Sequence, residues 1–474
     1  MNNKEDIILY LKNQLAQPNN RIKGYVLNAK GDAHPKRQEF FLVKTFMDAF
    51  LQGKEPRWIV IPGLRGVGKT TLLAQLYASL DEHKNRLFIS MNEVIPALGI
   101  GLQDVLNVYE EIIGNRFENL EEPVYLFIDE VQYDKEWAVV LQNIYNRSKK
   151  VFIICTGSSA LSLQADPNIG RRAYFKKLYP LSFSEYISIK YEKEIDVELG
   201  ETINSLLFNS ENAVQIYEGL QKLQKRITQY WITVDRLELD KYLQYGTLPF
   251  TLNLANEAVV VNLVEQTFTN IRTKDIPLLG RFDQDTLSKI QGLLYVLSSS
   301  DVMSLKKLGA AFNLAENTIR DVFGALEKAE VLIRVYPYGS HLSQATKPSK
   351  YLFLSSAYRS MFYNIMGSKL GYNDYKGKLL EDIVGLYLQR NFKRESETSL
   401  NYDPVEGGAD FITVSLGLKK IAIEVGYGKK NFRQIKETMK RIPCQYGLSI
   451  SPAELALSDT REAVLVPLSN FLLM

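Results

Sequence analysis

Three short apolar runs rich in branched and aromatic residues stand out in the first third of the chain: Trp58-Ile-Val-Ile-Pro, Val124-Tyr-Leu-Phe-Ile and Val151-Phe-Ile-Ile-Cys. Each is too short for a buried helix and ends in turn or small polar residues, the pattern of a strand covered on both faces of a parallel sheet. Thr70-Thr-Leu-Leu-Ala-Gln-Leu follows the first run with apolar positions at helical spacing, and Met1–Leu15 carries charges inside a helix-like pattern. Residues 191–280 alternate charged and apolar positions as helices do. Three shorter helical patterns then follow at Leu287–Leu297, Leu305–Phe312 and Glu316–Glu330, and a pair of strands is expected at Val331–Tyr336 and Tyr351–Leu354. The last hundred residues open with a helical pattern at Tyr375–Leu388, succeeded by strand-like Asp410-Phe-Ile-Thr-Val and Lys420-Ile-Ala-Ile-Glu-Val.

Composition narrows this picture without redirecting it. A chain of 474 residues is too long for one ordinary core. With 46% hydrophobic and 23% charged residues it has the balance of a folded soluble protein. No run of 18 apolar residues occurs, and the N-terminus lacks the apolar stretch of a signal peptide, so a cytoplasmic protein without membrane association is expected. Cys155 and Cys444 both lie in apolar surroundings and read as buried thiols; with three scattered histidines, zinc is not expected. A net charge of +3 offers no global argument for nucleic acid, so any DNA contact has to be argued locally.

The chemistry starts after the first strand. Gly63, Gly66 and Gly68 in Gly63-Leu-Arg-Gly-Val-Gly-Lys-Thr-Thr let the backbone curl so that its N–H groups, with those of Arg65 and Val67, face an anion, and the following helix adds the positive end of its dipole. In such a P-loop (Walker A) Lys69 reaches the β- and γ-phosphates of ATP and the Thr70 hydroxyl coordinates magnesium, with Thr71 beside it. The strand at 124–128 ends in Asp129 and Glu130, where a parallel sheet presents its carboxyl ends to a ligand. Asp129 is placed to hold the magnesium shell and Glu130 to polarise the attacking water, a Walker B pair. The third strand ends in Cys155-Thr-Gly-Ser, offering Thr156 or Ser158 as a γ-phosphate sensor. Arg171 and Arg172 could stabilise transition-state charge from their own or a neighbouring subunit, or be solvated or DNA-facing; the sequence leaves these open.

As an ordered set, the P-loop, Phe127-Ile-Asp-Glu-Val-Gln-Tyr, Cys155-Thr-Gly-Ser-Ser-Ala-Leu and Leu178-Tyr-Pro-Leu-Ser-Phe-Ser-Glu-Tyr resemble the archaeal and bacterial AAA-like (STAND-like) P-loop ATPases that carry a winged helix and a restriction-endonuclease-like C-terminal domain. The resemblance implies an α/β fold: a P-loop NTPase parallel sheet with a helical lid, a winged helix and a PD-(D/E)XK nuclease-like domain. The expected segments are an N-terminal helical segment at 1–39, the ATPase core at 40–190, the lid at 191–280, the winged helix at 281–365 and the nuclease-like domain at 366–474. Tyr245-Gly-Thr-Leu-Pro-Phe is similar to the Gly-Gly-Phe-Pro element of the same family, with Thr247 in place of its second glycine.

Ser304–Lys328 has the helix, tight turn, helix spacing of a helix-turn-helix. If it reads double-stranded DNA, Asn317, Thr318 and Arg320 face the major groove and Lys347 and Lys350 meet phosphate. Glu316, Asp321, Glu327 and Glu330 on the same helix oppose that reading. In the C-terminal domain the resemblance assigns Asp410 and Glu424 to a nuclease metal site with Glu381 assisting. The lysine expected two residues after the acid is Gly426, with Lys429 and Lys430 further on, so a degenerate, non-cleaving domain is expected. The expected function is an ATP-binding and ATP-hydrolysing switch, with ATP or ADP and magnesium bound, acting on DNA, a protein partner or another copy of itself. An ATP-dependent DNA nuclease of the defence type and a nucleotide-stabilised interaction scaffold stand as alternatives.

Overall fold

The structure is a computed structural model that describes the chain apart from residues 1–2, 17, 29, 82–84, 158–169, 255, 301, 366–370, 393–399, 415–418 and 429–431. Ser158, Lys429 and Lys430 therefore lie outside the described residues. The chain forms two compact units, Met1–Tyr179 and Pro180–Met474, into which the five expected segments are gathered.

In the first unit, strands β1 (Trp58–Pro62), β2 (Asn85–Ser90), β3 (Val124–Asp129), β4 (Val151–Gly157) and β5 (Tyr174–Phe175) make one sheet in the order β2-β3-β4-β1-β5. Every pairing is parallel. The three apolar runs of the sequence are β1, β3 and β4, and all their residues are buried, which is why they show no polar alternation. One core joins Trp58, Val60, Leu126, Ile128 and Ile153 to Leu102, Leu106 and Leu141 of the flanking helices. The N-terminal helix Asn3–Ala16 inserts Ile7 and Leu11 into that same core. Residues 3–16 thus complete the ATPase core rather than precede it. Cys155 is buried there, and burial pushes its thiol up to about 12; Cys444, in the other unit, is only partly buried, contrary to the expectation from its apolar neighbours.

The second unit begins with helices, among them Val197–Asn209, Ala213–Ile232 and Glu257–Asn270. The helical stretch expected as a lid therefore belongs to this unit and not to the one with the P-loop. The helices Leu305–Phe312 and Glu316–Lys328 follow, joined through Asn313 in the left-handed conformation. They lead into an antiparallel pair, β6 (Leu332–Pro337) and β7 (Lys350–Phe353), whose connection holds a short helix, His341–Thr346. After the helix Tyr372–Phe392 come β8 (Leu400–Tyr402), β9 (Phe411–Val414) and β10 (Lys420–Val425), an antiparallel meander. The helix Arg433–Arg441 then carries the chain across to β11 (Tyr446–Ser451), parallel to β10. Strands β12 (Ala456–Leu457) and β13 (Ala463–Pro467) finish the sheet.

The hairpin does not stand apart. Strand β6 pairs in parallel with β8 through Tyr336↔Asn401 and Pro337↔Tyr402, so a single eight-stranded sheet runs β12-β13-β11-β10-β9-β8-β6-β7. A buried ion pair reinforces the junction. Asp382, on the helix Tyr372–Phe392, accepts from Arg359 Nε at 2.6 Å and Nη2 at 2.8 Å, and from the backbone N–H of Phe353 on β7 at 2.9 Å. Both charged side chains are completely buried, and Arg359 Nη1 also donates to the Ser298 carbonyl.

Candidate nucleotide site and the C-terminal acidic cluster

The P-loop sits where β1 turns into the helix Lys69–Ala78. Gly66 and Gly68 have φ of 90° and 93°, a backbone conformation that side chains with a Cβ rarely adopt. Gly63 is required for another reason: a Cβ there would come within 2.4 Å of the Leu178 carbonyl oxygen. Lys69 is buried and its ammonium donates to the carbonyls of Gly63 at 2.8 Å and Leu64 at 3.1 Å, so it is held inside the loop. Val67 is buried, whereas Arg65, Thr70 and Thr71 are partly exposed.

At the neighbouring strand ends, the Thr70 hydroxyl donates to Asp129 Oδ2 at 2.8 Å and the Thr156 hydroxyl donates to Asp129 Oδ1. The N–H of Glu130 donates back to Thr156 Oγ1 at 3.2 Å. Four residues from three sequence segments are thereby joined at the carboxyl ends of β1, β3 and β4. Burial and the nearby Glu130 charge push the Asp129 carboxyl up to about 6, against the hydrogen bonds from Thr156 and Thr70 and the pull of Lys69. Such a carboxylate, paired with a hydroxyl, fits a magnesium ion, whose charge would offset the cost of burying the acid. Thr156 is fully buried between the two acids, in contact with both.

Glu130 is buried and has φ of 53°, so its backbone is left-handed where a side chain bears a steric cost. Its carboxylate accepts from Gln132, two residues on. The motif Asp129-Glu-Val-Gln was the available signal for Gln132. No comparable signal marked Arg37, a buried arginine that donates from Nη1 to the Val67 carbonyl at 3.1 Å and from Nη2 to the Tyr179 carbonyl at 3.0 Å. It ties the P-loop to the segment that passes Gly63.

Arg171 and Arg172 are not brought to this site. They precede β5, whose register sets Tyr174 beside Ile59, while Leu178 lies against Gly63. Six residues of extended chain separate Arg172 from the P-loop, about 20 Å. Arg172 instead acts electrostatically on Tyr145, whose ring packs against Arg57 just before β1. The two arginines thus stand beside the start of β1, at the end of the sheet away from the carboxyl ends of its strands.

On the helix Glu316–Lys328, Asn317 and Arg320 are exposed and Thr318 partly so, but Arg320 pairs with Glu316 at 3.2 Å and Asp321 is exposed beside it. Lys347 is exposed. Lys350, expected to meet phosphate with it, is buried: its ammonium lies 2.7 Å from Glu381 Oε2 and 3.1 Å from Asp410 Oδ1. That expectation is corrected by the fold, because β7 is covered along its whole length.

The same contacts gather the expected nuclease acids. Asp410 directly precedes β9, and continuing the β9–β10 register sets it opposite Glu424, which is buried. Asp410 Oδ2 accepts from the N–H of Val425 at 2.9 Å. Glu381 reaches in from the helix Tyr372–Phe392 and also takes Lys378 at 3.2 Å. Among the described residues no group of three or more His, Cys, Asp or Glu is arranged to hold a metal ion.

A family model described as an AAA domain matches residues 55–187, the span that holds every nucleotide residue named above, and a model for a domain of unknown function matches residues 236–366. The uncharacterized protein MJ1637 of Methanocaldococcus jannaschii is 35% identical over 468 residues, 96% of this chain and 94% of its own. The chain belongs to the family of that archaeal protein. Its N-terminal unit has the AAA-type P-loop ATPase fold. An uncharacterized protein of Haemophilus influenzae is 28% identical over 154 residues, 31% of this chain and 37% of its own. Among solved structures, the Aeropyrum pernix ORC1 protein in complex with DNA aligns at 10% identity with a TM-score of 0.32, covering 74% of this chain and 96% of that one. The alignment with MJ1637 extends over residues of both units. No helix among the described residues is long and apolar enough to cross a membrane.

Proposed function

We propose that the N-terminal unit binds ATP with magnesium and hydrolyses it, and that the chain acts as a nucleotide-driven switch. The observation that carries this is the joining of Thr70, Asp129, Thr156 and Glu130 around one buried carboxylate beside the P-loop. In this reading the N–H groups of residues 63–71 and the Lys69 ammonium bind the phosphates. Thr70 and Asp129 hold magnesium, which screens the phosphate charge. Glu130 takes the proton of the attacking water, and release from Gln132 frees it to do so. Arg171 and Arg172, which lie beside the start of β1, serve the nucleotide of a second copy. The C-terminal half is read as a nuclease-like module that does not cleave, supported by Gly426 in the lysine position and by the ion pairs that tie up Asp410 and Glu381.

The helix-turn-helix with its hairpin is read as a winged helix, and Asn317, Thr318, Arg320 and Lys347 remain its candidate contacts. The test is steady-state ATP turnover by the wild type, Lys69→Ala and Glu130→Gln, with and without double-stranded DNA. Turnover is expected in the wild type and is expected to fall at least about a hundredfold in both variants, as removal of positioned transition-state groups does. A rise on adding DNA would assign the winged helix to DNA; indifference would assign it to a protein partner. A wild type without turnover would overturn the hydrolysis reading.

A further inference from the structure

The nuclease-like fold implies a divalent metal held by Asp410 and Glu424, and the residues present do not fit one. A magnesium ion takes carboxylate oxygens at about 2.0–2.1 Å and keeps several waters. In this chain the inward oxygen of Asp410 and an oxygen of Glu381 both face the ammonium of Lys350, and the other Asp410 oxygen faces the Val425 N–H. We infer that Lys350 is a built-in counterion, an ammonium that takes the cation position of this carboxylate cluster and excludes a divalent metal from it.

Three observations argue that Lys350 is fixed there rather than visiting. Its backbone is in the sheet, paired with Val335 of β6 and bridged to Val302 on the other side. Its side chain is only 6% exposed and its ammonium lies 5.3 Å from the centre of the Phe411 ring, a favourable cation–π distance. Two carboxylates share it, so withdrawing the ammonium would take from Asp410 its charged partner and leave Glu381 with Lys378 alone. A cleft of about 730 Å³, lined by Lys347, Lys350, Lys378, Gly408, Asp410 and Gln434, reaches the cluster, so access does not keep a metal out. Occupancy does: a divalent ion and an ammonium within a few ångströms repel strongly in a poorly solvated site.

The lysine is also in an unexpected place. It comes from the hairpin, far before the acid it serves in the sequence, and so it doubles as the tie between the hairpin and the C-terminal strands.

The inference rests on reading the C-terminal half as nuclease-like, and its test is independent of cleavage. Manganese is titrated into the full-length, nucleotide-free chain by calorimetry and by loss of the free-ion electron paramagnetic resonance signal. The wild type, Asp410→Asn, Lys350→Met and the Lys350→Met/Asp410→Asn double variant are compared. The expected result is no manganese bound by the wild type that Asp410→Asn removes, and at least tenfold tighter binding of one ion by Lys350→Met, lost again in the double variant. Manganese bound by the wild type and lost in Asp410→Asn would overturn the inference. So would a folded Lys350→Met chain that gains no ion. Should Lys350→Met fail to fold, Lys350→Gln, which keeps a polar end in the cluster, takes its place with the same expected gain. DNA cleavage by the wild type would overturn the non-cleaving reading instead, and is scored separately.

Discussion

Asp129 shows how the neighbours of one buried carboxylate set its charge. Its folded pKa of about 6 lies above the ordinary 3.8, so its ionised form is penalised in the folded chain and the protonated form is not. The penalty is absent at low pH, grows as pH rises from the ordinary value through about 6, and is complete above that. Asp129→Asn is therefore expected to raise the melting temperature of the metal-free, nucleotide-free protein at pH 8, with the gain shrinking as pH falls toward 4. Thermal scans of the two proteins across that range check it; a gain independent of pH would mean the charge is not its source. The residues of this site were legible because a P-loop and a strand-end acid pair are local patterns, each readable within a dozen positions. Lys350 was not, since Glu381 and Asp410 lie 31 and 60 residues from it, and nothing near it in the chain distinguishes a buried lysine from a solvated one. Arg37 escaped for the same reason, its carbonyl partners being 30 and 142 residues away.

Among the elements, the helices Leu305–Phe312 and Glu316–Lys328 and the two strands after them appear where their periodicities set them. What the pattern did not disclose is the parallel pairing of β6 with β8, because β8 is three residues long and carries no alternation to read. The length of the hairpin connection likewise hid the helix His341–Thr346 inside what looked like a loop. These elements are held by Arg359 and Asp382, a pair with no exposure at either side chain. Removing one partner of such a pair leaves the other buried and uncompensated, so Asp382→Ala is expected to destabilise the second unit by about 3–5 kcal/mol. Denaturant unfolding measured against the wild type gives the value. A loss below about 1 kcal/mol would show that solvent reaches Arg359 and that the pair is not what holds β7 to the helix behind it.

At the scale of the whole molecule, the described residues form two units, one with a parallel sheet that carries the P-loop and one with a mixed sheet that carries the acidic cluster. The expectation of separate winged-helix and nuclease-like segments placed a border near residue 366, and the family match to residues 236–366 ends at the same point. Physically the border is crossed by the β6–β8 ladder, by Lys350 and by Arg359. A chain ended after Ile365 is expected to lose solubility, since β6 would present an unpaired edge and Lys350 and Arg359 would lose their carboxylates. Light scattering of the purified fragment tests this, and a monodisperse fragment would argue that the hairpin is self-sufficient. The shared strand carries a consequence for descent as well. Two modules that exchange hydrogen bonds across a common sheet cannot be shuffled separately by recombination without stranding one of them. Relatives of this chain are therefore expected to inherit the helix-turn-helix and the acidic α/β half together, each having become the other's missing neighbour.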